Sequence, residues 1–391
     1  MKFIHIADVH LGAVPDRDYP WGAAREKEIW ETFAGIIETV KQEKTDLLLI
    51  AGDFFHGQPL MRELKETAYY FSQIPDTQIV LTAGNHDHLR KDSNYLAFPW
   101  PENVTCLWSD HIQSCYLEKL NTYVYGLSYK ERENREPVYN QTFPGNRINF
   151  RTEHPDAFHI LLAHGGDEKH IPIHFSQLAG ADFDYIALGH IHKPEILVPG
   201  KMAYAGSPEP IDKKETGPHG YVKGTIGETN RSVRAYENSI GERAEGTWQF
   251  DFSDYTGKNS TEIVFVPASK REYKNLVLHV NPHSTRSGLL DQAAKFIREN
   301  GNSHIYRISL EGFRDPDMIF TNLDFSSVGN VIEVLDETEP AYDLEQMKRK
   351  YAGTVIGGFL EKFPLDVPEL MTEVQKKALY YGLQALLEAQ K

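Results

Sequence analysis

The 391-residue sequence predicts an α/β fold built on two β-sheets with helices against them, followed by a smaller α+β domain and C-terminal helices. Three observations predict it. Residues 2 to about 235 alternate short β-branched runs with helical patterns, as in a sheet that gathers its ligands at the strand C-terminal ends. From Val104 to Leu127 the helices drop out and short strands follow one another, which predicts a second sheet packed on the first. After a polar stretch from Asp251 to Ser260, which reads as a linker, strands and helices resume as a compact set. The predicted domains are residues 1–250, 262–338 and 340–391.

Taken in order, Phe3-Ile4-His5-Ile6-Ala7 is the first strand and ends before Asp8 and His10. Apolar positions Ile29, Phe33, Ile36, Ile37 and Val40 recur at helical spacing, giving a helix over Arg25 to Lys44. Leu47 to Ala51 is a strand before Gly52 and Asp53, and Met61 to Gln73 is a second helix. Ile79-Val80-Leu81-Thr82-Ala83 runs into Gly84-Asn85-His86-Asp87, a strand that delivers an amide, an imidazole and a carboxylate into a cleft. Val104 to Trp108, Tyr116 to Leu117 and Thr122 to Tyr125 are the short strands assigned to the second sheet. Residues 130 to 155 are polar and rich in turn formers, which fits either a surface loop beside the site or a disordered excursion. His159 to Ala163 precedes His164, and Ile186-Ala187-Leu188 precedes Gly189, His190 and His192.

The second part reads as strand Leu276 to Val280, helix Thr285 to Glu299, strand Ile305 to Leu310, a short helix near Pro316 to Leu323, and strand Val331 to Val334. Helical segments follow around Pro364 and Pro368. In the last of them Leu379, Leu383, Leu386 and Leu387 make an apolar stripe.

Composition limits the function. The net charge is −15, whereas a protein that holds nucleic acid by itself carries a basic footprint. Residues 1–235 hold 24 Lys and Arg against 32 Asp and Glu, and residues 236–391 hold 17 against 24, so the acidity is spread along the chain. Two divalent cations would bring the first part from −8 to −4, which leaves a polyanionic substrate open. Cys106 and Cys115 lack zinc-ligand spacing and read as reduced thiols. No apolar run approaches the roughly 20 residues of a membrane span, and Met1-Lys2 leads directly into a strand, so the chain reads as soluble and cytoplasmic.

The chemistry follows from residue types. Asp8 and His10, two apart at a strand end, can turn to one metal, and Asp53, after a glycine that permits close approach, is placed to bridge two. Carboxylates and imidazoles without thiolates suit ions such as Mn²⁺, Fe²⁺ or Zn²⁺. Of 17 histidines, 14 precede residue 220. Any one of them is more often a satisfied core or surface residue. Asp-x-His, Gly-Asp, Gly-Asn-His-Asp, a lone His and Gly-His-x-His, in that order and each after an apolar strand, form a set that this explanation does not cover.

This ordered set resembles the calcineurin-like metallophosphoesterase superfamily. Asp8-Val9-His10-Leu11-Gly12 and Gly52-Asp53-Phe54-Phe55-His56 look like its SbcD nuclease branch. Three stretches are similar to the YhaO-type DNA repair exonucleases of that branch: Gly84 through Val104, Asp184 through Lys193, and Glu215-Thr216-Gly217. The resemblance implies a four-layer metallophosphoesterase sandwich, and the small α+β domain is similar to the family's capping domain. It implies Asp8, His10, Asp53 and His192 on one metal and Asp53, Asn85, His164 and His190 on the other, two divalent ions with Mn²⁺ the first choice. His86 is then the acid or transition-state donor, Asp87 its orienting partner, and His56 a second contact to phosphate. The implied activity is a DNA phosphodiesterase, an SbcD-like exonuclease with endonuclease activity open, working in DNA repair with an SbcC-like coiled-coil ATPase. The alternative is a phosphatase or phosphodiesterase acting on a small molecule or phosphoprotein. Because the chain is acidic, another chain is expected to supply the grip on DNA. Leu379, Leu383 and Leu386 are the expected contact to that partner or to a second copy in a homodimer, the other reading being that they close this protein's own core.

Overall fold

The computed structural model describes residues 1–142, 154–227, 260–365, 367 and 370–389. They divide into two compact units, Met1–Glu272 and Tyr273–Lys391.

In the first unit the strands are β1 (Lys2–Ile6), β2 (Leu47–Ala51), β3 (Gln78–Thr82), β4 (Val104–Cys106), β5 (Gln113–Leu117), β6 (Thr122–Gly126), β7 (Phe158–His164), β8 (Tyr185–Gly189), β9 (Glu195–Val198), β10 (Met202–Tyr204), β11 (Gly220–Gly227) and β12 (Ser260–Pro267). They form two six-stranded sheets, ordered β12-β11-β1-β2-β3-β4 and β5-β6-β7-β8-β10-β9. Helices α1 (Gly22–Glu43), α2 (Met61–Ser72), α3 (Asn94–Ala97), α4 (Val138–Thr142) and α5 (Phe175–Ala179) complete the unit.

Alternation along the strands builds the layers, because successive side chains of a strand point to opposite faces. Ile4 and Ile6 of β1 and Leu48 and Ile50 of β2 pack outward with Ile29, Phe33, Ile36 and Val40 of α1 and Leu64 and Phe71 of α2. Phe3, Leu47, Leu49 and Val80 face inward and meet Val124, Ile160, Leu162 and Ala187 of the second sheet. On its far side the second sheet buries Leu161, Ile186 and Leu188 with Tyr139, Leu178 and Ala179. The order is helix, sheet, sheet, helix.

Two assignments differ from the expectation. Strand Val104–Cys106 pairs in parallel with β3 and ends the first sheet; a three-residue strand shows no pattern that would tell which sheet accepts it. Ser260–Pro267 pairs along its whole length with β11 and also belongs to the first sheet, so the first unit runs to Glu272. Of the proposed linker, residues 251–259 lie outside the described residues.

β1, β2, β3 and β4 run parallel, as do β6, β7, β8 and β10. Their C-terminal ends therefore collect on one side of each sheet.

His5 occupies the inter-sheet layer, fully buried, with Nδ1 2.9 Å from the Tyr185 hydroxyl. Burial pushes this imidazole down to about 3, opposed by the Leu188 carbonyl. A depressed folded-state value means stability is complete above the ordinary value of 6.5 and is lost as pH falls towards 3. Between pH 7.5 and 5, wild type should lose about 2 kcal/mol more than His5→Gln, whose side chain does not titrate. Urea midpoints at the two pH values check this, and a pH-independent difference between the proteins would refute it.

The second unit contains β13 (Tyr273–Val280), α6 (Arg286–Asn300), β14 (Ile305–Arg314), α7 (Asn322–Phe325) and β15 (Val331–Pro340), with the strands in one parallel sheet ordered β13-β14-β15. Thr285 caps α6 by accepting from Gly288 N–H, and Leu289 and Ala293 lie on Leu276, Leu278, Ile308 and Leu310. Helices α8 (Leu344–Lys350), α9 (Val355–Leu360) and α10 (Glu373–Glu388) follow. Leu379 and Leu383 are fully buried against Ile356, Leu360, Leu365 and Met371, and Leu386 and Leu387 pack at the edge of this cluster. The leucine stripe is core, which overturns its expected use as a partner surface. Val374 and Tyr381, on another face of α10, are 77% and 71% exposed. Among the described residues no helix is long and apolar enough to cross a membrane.

Candidate metal centre

Seven predicted ligands come together from five strand ends. Beyond β1 and β2 the chains stay paired, with Asp8 N–H donating to Gly52 O (3.2 Å) and His10 N–H to Asp53 O (3.1 Å). Asp8, His10, Asp53 and His190 all have positive φ (50°, 51°, 46° and 96°). Non-glycine residues adopt this region rarely, and such strain persists where the surroundings over-determine it. Gly84 is obligatory, because a Cβ there would overlap the Asp53 carboxylate and backbone nitrogen.

Two groups of ligand atoms converge. In the first, His10 Nε2 and His192 Nε2 lie 3.0 Å apart, and Asp8 Oδ1 is 3.9 Å from His192 Nε2. In the second, His164 Nε2 is 3.3 Å from Asp53 Oδ2 and 3.0 Å from Asn85 Oδ1, and His190 Nδ1 is 3.1 Å from the same Asn85 oxygen. His164 Nδ1 is committed to the Ala51 carbonyl at 2.9 Å, so Nε2 must face the acceptors Asp53 and Asn85. Both groups thus aim lone pairs and negative charge at one another.

The protonation pattern follows. Burial raises the Asp8 carboxyl to about 6, with His164 and His192 pulling against it. For His164 burial is outweighed by the charge and hydrogen bond of Asp53, then by Asp8, and the ring rises to about 9. His192 rises to about 9 because Glu215 and Asp8 outweigh burial. Burial holds His10 well below its usual range and His190 at about 4. Protons on His164 and His192 are therefore the positive charges that this donor set collects. Divalent cations fit the same places, and their binding would displace those protons.

His56 and His86 flank the first group, with ring centroids 5.3 and 4.9 Å from that of His10 and 5.2 Å from each other. His86 donates its backbone N–H to Asp53 Oδ1 (2.8 Å), and its ring Nδ1 lies 3.2 Å from the His56 carbonyl. Asp87 does not orient His86, a correction to the expectation. Its carboxylate turns inward, accepting from Gly84 N–H (2.8 Å), Phe55 N–H (3.1 Å) and the Tyr95 hydroxyl (2.7 Å), and burial followed by Asp53 raises it to about 7. The residue after His86 is pulled into the core because Gly84 and Phe55 offer it two backbone donors.

Sequence reasoning missed Asp167 and did not recognise the role of Glu215. Asp167 Oδ2 lies 2.8 Å from His190 Nε2, and Glu215 Oε1 lies 2.7 Å from His192 Nδ1. Asp167-x-x-His170 directly after a strand ending in His was the available signal. Of the 130–155 stretch, residues 130–137 form a loop that leads into α4, whose Tyr139 hydroxyl accepts from His164 N–H (3.1 Å); residues 143–153 lie outside the described residues. Cys106 and Cys115 are free, and burial pushes their thiols up to about 12 and about 11.

Comparison with known proteins agrees with this geometry. The calcineurin-like phosphoesterase family matches residues 1–194. The chain is 30% identical over 281 residues to the uncharacterized metallophosphoesterase YhaO of Bacillus subtilis, covering 62% of each chain. It is 30% identical over 227 residues to the DNA double-strand break repair protein Mre11 of Methanocaldococcus jannaschii, covering 55% of this chain and 58% of that one. To SbcD, a component of the nuclease SbcCD of Bacillus subtilis, it is 26% identical over 293 residues, covering 64% and 68%. The match thus spans about three fifths of the length of these relatives.

Proposed function

Residues 1–194 are a calcineurin-like phosphoesterase domain, and from that premise we propose that the protein is a dinuclear-metal-dependent DNA phosphodiesterase, an SbcD-like exonuclease acting with a coiled-coil ATPase. The observation that carries the reading is the convergence of two ligand groups on Asp53, which lies 3.3 Å from His164 Nε2 and whose charge also acts on His10. The names of the relatives, a nuclease component and a double-strand break repair protein, support DNA as substrate. With DNA as substrate, the cytoplasm is its place of action.

Asp8, His10, Asp53 and His192 would hold one cation, and Asp53, Asn85, His164 and His190 the other, with Mn²⁺ suited to this mixed oxygen and nitrogen set. When bound, such a pair supplies Lewis-acid polarisation of the phosphoester and a more acidic water. The chain's own part is placement and proton transfer. His86, whose Nδ1–H faces the His56 carbonyl, would act as the imidazolium: its second proton, on Nε2, passes to the departing oxygen and leaves the ring neutral. His56, at the rim and held below its usual value by partial burial and by His86, contacts the phosphate as a neutral donor. The exposed Val374 and Tyr381 of α10, clear of the leucine core, are the surface offered to the ATPase, which supplies the cationic grip that a chain of net charge −15 lacks.

Hydrolysis of DNA, bis-p-nitrophenyl phosphate and a phosphomonoester, each with Mn²⁺, Mg²⁺ and Zn²⁺, tests the reading. DNA and the diester should be cleaved, best with Mn²⁺, and adding the ATPase should speed cleavage of long DNA alone, a gain that Tyr381→Asp abolishes. Preference for the monoester would replace the DNA reading with that of a phosphatase.

A further inference from the structure

The Gly-His-x-His end of β8 carries two imidazoles that serve different ligand groups, and each is gripped on its far nitrogen by a carboxylate outside the predicted ligand set. His190 pairs through Nε2 with Asp167 Oδ2 (2.8 Å), which leaves the Nδ1 lone pair directed at Asn85 Oδ1, 3.1 Å away. His192 pairs through Nδ1 with Glu215 Oε1 (2.7 Å), which leaves Nε2 facing His10 and Asp8.

Neither carboxylate is loosely placed. Asp167 Oδ1 accepts from Lys169 N–H (2.8 Å) and His170 N–H (2.9 Å), and His170 Nδ1 lies 2.9 Å from both of its oxygens. The loop is lashed to the neighbouring segment by Asn134 N–H to Lys169 O (2.9 Å) and Ile171 N–H to Asn134 O (2.6 Å). Buried Ile171 has φ 42°, a conformation that a β-branched residue adopts only when its surroundings impose it. Glu215 Oε2 accepts from Ile211 N–H (2.8 Å), and Glu215 N–H donates to Asp212 O (2.9 Å). An acceptor on the far nitrogen fixes an imidazole's tautomer and ring angle and strengthens its near nitrogen as a ligand.

We propose that Asp167 and Glu215 are positioning residues that act separately, Asp167 through His190 on the cation shared with Asn85 and His164, and Glu215 through His192 on the cation shared with Asp8 and His10. This rests on the dinuclear reading above. Mn²⁺ titration calorimetry on the full chain tests it. Asp167→Ala and Glu215→Ala should each weaken one of the two Mn²⁺ ions by about 10–100-fold and spare the other. In a double-mutant cycle Asp167→Ala should add nothing on a His190→Ala background and keep its effect on His192→Ala, with Glu215→Ala behaving conversely. In cation-free protein carrying ¹⁵N-labelled histidine, the His190 tautomer should change with Asp167→Ala and not with Glu215→Ala.

Crossed pairs that couple as strongly as the direct ones would overturn the proposal, as would single variants that keep wild-type affinity at both ions and lose only melting temperature. Asp167→Asn and Glu215→Gln keep the shape and remove the negative charge; if an alanine variant fails to fold, each of these should weaken the same single ion, and wild-type affinity at both ions would overturn the proposal. Wild type that takes up no Mn²⁺ pair would defeat the dinuclear reading itself; wild type that takes up the pair while the cycle fails would defeat only this inference.

Discussion

Replacing Asp53 with alanine is expected to abolish cation binding and hydrolysis together. The carboxylate is 1% exposed, pairs with His164 Nε2 in one ligand group and acts on His10 in the other, so its loss is felt by both groups. Burial alone would raise its pKa, but the positive charge and hydrogen bond of His164 outweigh it and hold the group ionised. An ionised carboxylate at the centre of the site is suited to bridging. Without it the several kcal/mol of Lewis-acid stabilisation are lost, a fall in turnover on the order of 10³-fold or more. The same loss is readable without substrate. Wild type with Mn²⁺ at 100 times its dissociation constant gains about 2.7 kcal/mol of stability, and Asp53→Ala should gain almost none. A variant that kept two bound ions by metal analysis would sink the bridging assignment.

His86→Ala is expected to do the opposite: both cations stay and turnover falls by about 10²–10⁴-fold, the share of a well-placed general acid. The physical reason lies in how His86 meets Asp53. It does so through its backbone N–H, at 2.8 Å, and alanine keeps that bond. The ring instead rests against the His56 carbonyl at the mouth of the site, where its loss removes a proton donor and leaves the ligands where they were. Stoichiometric loss of Mn²⁺ from this variant would show that the ring is a ligand and that the division of roles is wrong.

Much of this centre was legible in the sequence. Apolar runs of strand length, each stopped by a polar cluster, place Asp8, His10, Asp53, Asn85, His164, His190 and His192 at strand ends, and in a parallel sheet those ends share one side. Asp87 was less legible. Its neighbours in the chain are His86 and His88, yet two of its three partners are Phe55 and Tyr95, and a bond across such separations leaves no periodic trace. Asp167 and Glu215 escaped for the same reason, since each acts on an imidazole 23 residues away.

The sequence by itself determined the α/β class, the three strands and the long helix of the second unit, and the set of ligand types, because periodicity and strand-end composition are local properties of the chain; the short helix expected near Pro316 to Leu323 forms at Asn322–Phe325 instead. Only the tertiary structure decided what each apolar face meets. The 3.6-residue period of α10 says that Leu379 and Leu383 lie on one buried face. It is silent on whether that face meets another chain or Ile356, Leu360 and Met371 of the same one. Likewise β4 and β12 found their sheet through pairing with β3 and β11, contacts set by backbone hydrogen bonds, which carry no residue identity.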